Sequence, residues 1–139
     1  MQLSSETLPK NGNLTASVTV TNKGNHDGYE TVQIYLRDIY AEVARPVKEL
    51  KGFDRIFLKK GESREVKFVL TEDDLKFYNS GLQYIYEPGE FDVMIGTNSR
   101  DVQTKRFIAE CSFFAEKQSG TAKKQSLPLC LPCLTKMYF

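Results

Sequence analysis

The side chains best suited to chemistry in this chain are its carboxylates, its one histidine and its three cysteines. Acid–base hydrolysis needs two carboxylates roughly 5 to 10 Å apart beside a pocket. The most prominent acids fall instead in turns, in caps and at outward strand positions: Glu62, Glu65, Glu72, Asp73, Asp74 and Asp92. His26 stands in a polar turn and has no Ser or Cys partner that the sequence identifies, which favours an exposed loop histidine over a general base. These residues therefore predict no catalytic site.

The cysteines raise a second kind of chemistry, metal binding or thiol redox exchange. Cys130 and Cys133 are separated by two residues, which is the spacing of a zinc half-site or of a redox pair. A structural zinc ion needs four ligands, and only Cys111 and His26 remain as distant candidates. A redox pair needs a strand before it and a helix after it, yet only six residues follow Cys133. Chance spacing is the favoured interpretation, and no metal or cofactor is predicted.

Tyrosines are the third candidate group, because flat aromatic rings can stack on sugar rings. Six of them lie where strands or turns are expected: Tyr29, Tyr35, Tyr40, Tyr78, Tyr84 and Tyr86. Alternating strands bury about half of such residues, and exposed tyrosines often anchor protein interfaces. A sugar-binding platform and a protein interface both remain open at this point.

The elements that would position these residues are short strands with period-two alternation. In residues 14–20, apolar side chains alternate with threonine and serine, the pattern of a half-buried strand. Similar segments separated by turn residues predict seven strands, at about residues 14–20, 32–36, 47–58, 66–70, 82–86, 91–95 and 101–111. Helical periodicity is almost absent. The sequence therefore predicts an all-β fold, an antiparallel β-sandwich over residues 1–111.

Three local signals refine this prediction. Four apolar residues of the third strand break strict alternation: Leu50, Phe53, Ile56 and Leu58. A bulge at Gly52 is expected to bring these four back into phase toward the core. Thr71, followed three residues later by Asp74, resembles a capping box with Asp in place of Glu or Gln, and predicts one or two helical turns. The Glu-Pro-Gly sequence at residues 87–89 favours a type II turn with Gly89 at positive φ.

Size, composition and charge limit what the chain can do. A length of 139 residues suits one domain with a tail. The net charge of +1 gives no strong field to attract nucleic acid or an anionic membrane. No apolar run is long enough to span a bilayer, and the first nine residues show no signal-peptide pattern. Residues 112–139 contain Pro128 and Pro132 and lack a sustained period, which predicts an irregular, disordered tail.

Four longer stretches are distinctive as a set: VTVTNKGNHDGYETVQIYLRD at residues 18–38, RPVKELKGF at 45–53, LKKGESREVKFVLTEDDLKFY at 58–78 and EPGEFDVMIGTNSRD at 87–101. In this order they resemble the fibronectin type III-like domain that closes many family 3 glycoside hydrolases of the β-glucosidase and β-xylosidase type. The resemblance covers roughly residues 12–110, and residues 45–53 are its most specific part. It implies an immunoglobulin/fibronectin type III-like sandwich of about seven strands. It also implies that the catalytic residues belong to upstream barrel and α/β domains, which this chain does not contain.

The resemblance further implies a detached, non-catalytic accessory domain whose partner is the catalytic part of a periplasmic or secreted parent hydrolase. Because Pro46 cannot donate to a central ladder, the charged segment around it is expected at an edge, exposed for docking. The docking candidates are Arg45, Pro46, Lys48, Glu49, Arg100 and Asp101. Arg45→Ala is then expected to change stability by no more than about 0.5 kcal/mol.

Two rival interpretations remain beside the docking module. Arg45 could form an internal ion pair that only orders its own loop, in which case the segment is ordinary scaffold. The whole chain could also be a free-standing carbohydrate-binding or adhesion sandwich, which would use the exposed tyrosines.

Overall fold

The computed structural model describes residues 1–110, which form two packed β-sheets. The elements are β1 (Gln2–Leu3), β2 (Thr7–Leu8), β3 (Asn13–Thr21), β4 (Gly28–Asp38), β5 (Glu49–Leu58), β6 (Ser63–Thr71), α1 (Glu72–Leu75), β7 (Phe77–Tyr78), β8 (Tyr84–Ile85), β9 (Gly89–Gly96) and β10 (Val102–Ala109). One sheet has the order β1-β3-β6, the other has the order β2-β10-β9-β4-β5, and β7 pairs with β8 in a separate ladder. The predicted boundary at residue 111, the predicted tail at 112–139 and the three cysteines lie outside the described residues.

Alternation along the long strands builds the core between the two sheets. In β3, Leu14, Ala16 and Val18 are buried while the residues between them are partly exposed. The largest fully buried side chains come from both sheets and from α1: Phe91, Phe107, Leu14, Ile34, Leu75, Ile95, Val32 and Val93. Burying one apolar face of each sheet against the other is the arrangement that a β-sandwich requires. The predicted all-β sandwich is confirmed.

The strand prediction differs from the structure at the short elements. It lacks β1, β2 and β7, because two-residue strands carry too little alternation to be recognised. β2 runs parallel to β10, with Thr7 opposite Ile108, whereas the other strand pairs of residues 1–110 are antiparallel as predicted. The strand predicted over residues 82–86 shortens to β8. The side-chain oxygen of Asn79 accepts hydrogen bonds from the amides of Gly81 and Gln83. These bonds close a loop over residues 79–83, so residues 82 and 83 do not join the strand.

The helix follows its predicted capping signal. The Asp74 carboxylate accepts hydrogen bonds from the amide of Thr71, at 2.8 Å, and from its hydroxyl, at 3.0 Å, which confirms a capping box built with aspartate. The helix makes a single turn and ends at Leu75, whose side chain is buried. Gly89 has a φ of 158°, far from the value of about +80° that a type II turn requires. The predicted type II turn is therefore wrong, because Gly89 is already paired with Ala109 in the sheet.

A bulge interrupts β5 one residue before Gly52, the position that the sequence predicted for it. Gly52 lies opposite Ile34 in β4, whereas Leu50 lies opposite the next residue, Tyr35. Lys51 is therefore the extra residue of the bulge. Across it, the alternation of side chains between the two faces of the sheet is shifted by one residue.

The bulge does not return all four apolar residues of β5 to the core. Ile56 and Leu58 are buried, but Leu50 and Phe53 are exposed. Phe53 lies opposite Gln33, and the phase change turns Leu50 outward onto the same face. The expectation that Leu50 and Phe53 face the core is wrong. Phe53 points outward because it alternates regularly with Ile56 and Leu58 on the other side, and Leu50 points outward because the bulge at Lys51 shifts the alternation.

Candidate docking surface

The segment between β4 and β5, residues 39–48, is fixed by one arginine. Arg45 Nη1 lies 3.3 Å from Asp38 Oδ2, and Arg45 Nη2 lies 3.1 Å from Glu49 Oε1. The guanidinium carbon lies 4.7 Å from the centroid of the Phe77 ring in β7. These contacts join the segment to the end of β4, to the start of β5 and to the β7–β8 hairpin.

The expectation that Arg45 is an exposed group is wrong. Its side chain is 10% exposed and that of Asp38 only 2%. A carboxylate removed from water needs a paired cation, so this ion pair has a structural purpose within the chain. The geometry supports the rival interpretation for this residue, an internal ion pair that orders the loop. Direct contact between Arg45 and a partner stays a prediction.

Glu49 belongs to the same network. Its second oxygen, Oε2, lies 2.9 Å from Lys51 Nζ. Burial raises the pKa of Glu49, but hydrogen bonds from Lys51 and Arg45 outweigh that effect and hold the pKa below its ordinary value. The resulting contribution to stability is present above the ordinary carboxyl pKa and is lost as the pH falls through the lowered pKa.

The two groups of docking candidates lie beside each other. Lys48 Nζ donates a hydrogen bond to the carbonyl oxygen of Ser99, in the loop between β9 and β10. Arg100 follows in that loop and is exposed, as is Pro46 in the first segment. Asp101 is exposed and hydrogen-bonded within its own loop. Segments 45–49 and 100–101 therefore meet on one side of the sandwich, although they are far apart in sequence.

Next to these segments, four apolar side chains form an exposed strip on the outer face of the five-stranded sheet. The strip consists of Tyr29 (64% exposed), Leu50 (52%), Phe53 (68%) and Phe57 (38%). Tyr29 lies opposite Phe57 in the β4–β5 register, and their rings meet edge to face with centroids 5.1 Å apart. Contiguous exposed apolar side chains often mark interaction sites.

Sequence reasoning missed this apolar strip, although one signal for it was present. Phe57 lies between Ile56 and Leu58, so strict alternation at the end of β5 predicts that it points away from the core. Leu50 gave no such signal, because its orientation depends on which residue of β5 is bulged.

The tyrosines do not gather into one platform. Tyr35 is buried and donates its hydroxyl hydrogen bond to Gln33. The hydroxyl of Tyr86 donates to the backbone carbonyl of Glu110. Tyr78 and Tyr84 pair on the β7–β8 hairpin with ring centroids 5.0 Å apart, separate from Tyr29 on the apolar strip. Tyr40 is exposed in the segment between β4 and β5. The six candidate tyrosines are thus divided among the core, the hairpin, that segment and the strip.

The candidate acids are each engaged by a neighbour. The contacts are Glu62 with Arg64, Glu65 with Lys67, Glu72 with the amide of Asn11, Asp73 with Lys76, Asp74 with Thr71 and Asp92 with Arg106. His26 is exposed in its loop. Across residues 1–110, no three His, Cys, Asp or Glu side chains come together as metal ligands would. In the same part of the chain, no helix has the length and apolar character needed to cross a membrane.

Comparison with known proteins identifies relatives of this arrangement. The fibronectin type III-like domain family matches residues 30–99. The periplasmic β-glucosidase of Salmonella typhimurium is 47% identical over 105 residues, which are 76% of this chain and 14% of that protein. A putative β-xylosidase of Formosa agariphila is 42% identical over 104 residues, 75% of this chain and 14% of that protein.

Solved structures give the same result. The β-glucosidase of Listeria innocua in complex with glucose superimposes with a TM-score of 0.72 and 38% identity, over 78% of this chain and 15% of that one. This chain spans only about one seventh of the length of the relatives that it matches. The matched part is a non-catalytic region of those enzymes. The chain belongs to the fibronectin type III-like domain family, in the form that family 3 β-glucosidases and β-xylosidases carry as an accessory region.

Proposed function

We propose that this domain docks onto the catalytic part of a family 3 β-glucosidase-like hydrolase through the outer face of its five-stranded sheet. The observation that carries the proposal is the apolar strip, which lies beside segments 45–49 and 100–101. The matched region is only about one seventh of each relative. In a parent of that length, the other six sevenths would supply the surface that covers the strip.

The composition of the strip supports an interface and gives little to an isolated domain. Tyr and Phe are enriched at protein interfaces, where they supply large contact areas at a low cost in side-chain entropy. Each Å² of apolar surface removed from water contributes about 25 cal/mol, so covering Phe53 and Tyr29 favours association. In an isolated domain the same rings stay in contact with water and contribute little to folding.

The parent's activity follows from the relatives and is part of the proposal. A parent of this kind cleaves β-linked glucosides or xylosides with residues outside this chain. The Salmonella relative is named as periplasmic, and the same location is proposed for the parent. This domain would then brace the catalytic domains and leave the chemistry to them.

Exchanging domains tests the proposal. In the exchanged enzyme, the 105 matched residues of the Salmonella β-glucosidase are replaced by the aligned residues of this chain. We expect it to hydrolyse an aryl β-glucoside within tenfold of the unaltered enzyme, and to unfold at a higher temperature than a truncated enzyme that lacks those residues. The chain alone is expected to give no turnover above buffer, because the six candidate acids are engaged in caps and surface pairs and no catalytic carboxylate pair is predicted.

Two results would contradict the proposal. The first is an exchanged enzyme whose activity and unfolding temperature equal those of the truncated enzyme. The second is turnover by the chain alone that disappears when one of its own carboxylates is replaced.

A further inference from the structure

The charges around the apolar strip are unequal in sign. Three acids beside it lie within 4 Å of a cation: Glu49 of Arg45 and Lys51, and Glu90 and Asp92 both of Arg106. Two further acids beside this face, Asp54 and Asp101, have no such cation among residues 1–110. Four cations on or beside the same face have no carboxylate oxygen within 4 Å among residues 1–110: Arg37, Lys48, Arg55 and Arg100. On or beside this face, cations without a carboxylate partner therefore outnumber acids without a cation by four to two.

One of these cations lies inside the strip. The Arg55 guanidinium carbon lies 4.5 Å from the centroid of the Tyr29 ring, and Tyr29 in turn contacts Phe57. Stacking on the ring holds the arginine in place while its hydrogen-bond donors remain available. Aromatic residues and arginine in contact are typical of the side chains that dominate binding energy at interfaces.

The edge of the sheet is less suited to a partner than its face. β5 is an edge strand, which could in principle accept an added strand. The bulge at Lys51 interrupts its ladder, and Asp54 places a charge opposite the core residue Val32 at the rim of the sheet. Bulges and inward-facing charges are two devices that block edge-to-edge pairing. A partner is therefore expected to meet the side chains of the face rather than the backbone of the edge.

On these grounds, and resting on the proposed function, we infer the chemistry of the partner surface. The catalytic part of the parent covers the apolar strip with an apolar contact region whose rim carries carboxylates. Those carboxylates pair with Arg55 and Arg100, and the apolar contacts centre on Phe53. Both features of the inference can be tested with substitutions at exposed positions, which leave the fold of the domain intact.

The test places single substitutions in the exchanged enzyme and, in parallel, in the isolated chain. Arg55→Glu, Arg100→Glu and Phe53→Ala are each expected to lower the unfolding temperature of the exchanged enzyme by at least about 4 °C more than that of the isolated chain. The effect of the two charge reversals is expected to shrink in 0.5 M salt, because added ions screen partly exposed pairs.

Matched controls carry the same chemical change elsewhere. Lys10→Glu reverses an exposed charge away from the strip, and Val69→Ala removes an exposed apolar side chain from the other sheet. Both controls are expected to affect the exchanged enzyme and the isolated chain equally.

The outcomes separate this inference from the proposed function. If the unsubstituted exchanged enzyme is more stable than the truncated enzyme but the three substitutions act like their controls, the inferred partner chemistry is wrong and docking still stands. If the unsubstituted exchanged enzyme gains nothing over the truncated enzyme, the proposed function itself fails. Concentration-dependent dimers of the isolated chain that Phe53→Ala abolishes would overturn the inference, because a second copy would then cover the strip.

Discussion

Arg45→Ala is expected to lower the free energy of unfolding of this chain by about 3 kcal/mol, because it removes the partner of a buried carboxylate. The Asp38 side chain is 2% exposed and would stay buried without its ion pair. The Phe77 ring would also lose the guanidinium that lies over it. The loss can be measured by urea unfolding of the full chain at neutral pH.

Arg100→Ala is the matched control for this change, since it removes an exposed arginine from the neighbouring candidate segment. It is expected to change stability by no more than about 0.5 kcal/mol. The double variant Arg45→Ala with Asp38→Ala should be more stable than the sum of the two single losses predicts, because the pair is removed together. If Arg45→Ala alone costs less than about 0.5 kcal/mol, the surface interpretation made from the sequence is right and the buried pair is unimportant.

Phe107→Ala is expected to cost about 4 kcal/mol and to leave much of the chain unfolded near body temperature. Phe107 is 1% exposed and stacks on Phe91 with ring centroids 5.7 Å apart, so its removal leaves a cavity at the centre of the five-stranded sheet. Thermal unfolding followed by circular dichroism measures the effect.

Ile108→Ala provides the comparison for this core substitution, because the neighbouring side chain is 48% exposed on the outer face of the same strand. It is expected to cost less than about 1 kcal/mol. Equal losses at positions 107 and 108 would contradict the alternation on which the whole core assignment depends.

The sequence predicted the long strands because their side chains alternate on a half-buried surface. In β3, Leu14, Ala16 and Val18 alternate with polar residues, and the structure buries all three. The capping box was also predictable, because Thr71 and Asp74 satisfy it within four consecutive residues. Both signals are local, so a reader of the sequence needs no knowledge of what lies across the fold.

The missed features depend on contacts between distant segments. The parallel pairing of β2 with β10 joins residues about a hundred positions apart, and the two residues Thr7–Leu8 carry no pattern that predicts it. The outward orientation of the Leu50 side chain depends on which residue of β5 has no partner in β4. The burial of Arg45 depends on Asp38 and on the Phe77 ring, which packs against it from a later hairpin.

The docking residues illustrate the same limit at the candidate site. The charged segment around Pro46 and the loop at Arg100 could be chosen from the sequence, and the Lys48–Ser99 hydrogen bond links them in the fold. The apolar strip beside them was not predicted, since only the register of β4 and β5 brings Tyr29 and Phe53 to one face.

Hydroxyl-radical footprinting of the apolar strip tests the central claim most directly. The oxidation rates of Tyr29, Phe53 and Phe57 would be compared between the isolated chain and the exchanged enzyme, with Val69 on the other sheet as the internal reference. If the strip docks onto the catalytic part, the three aromatic residues are protected severalfold in the exchanged enzyme while Val69 reacts at an unchanged rate. Equal oxidation of all three rings in both proteins would contradict the claim that this face is the docking surface.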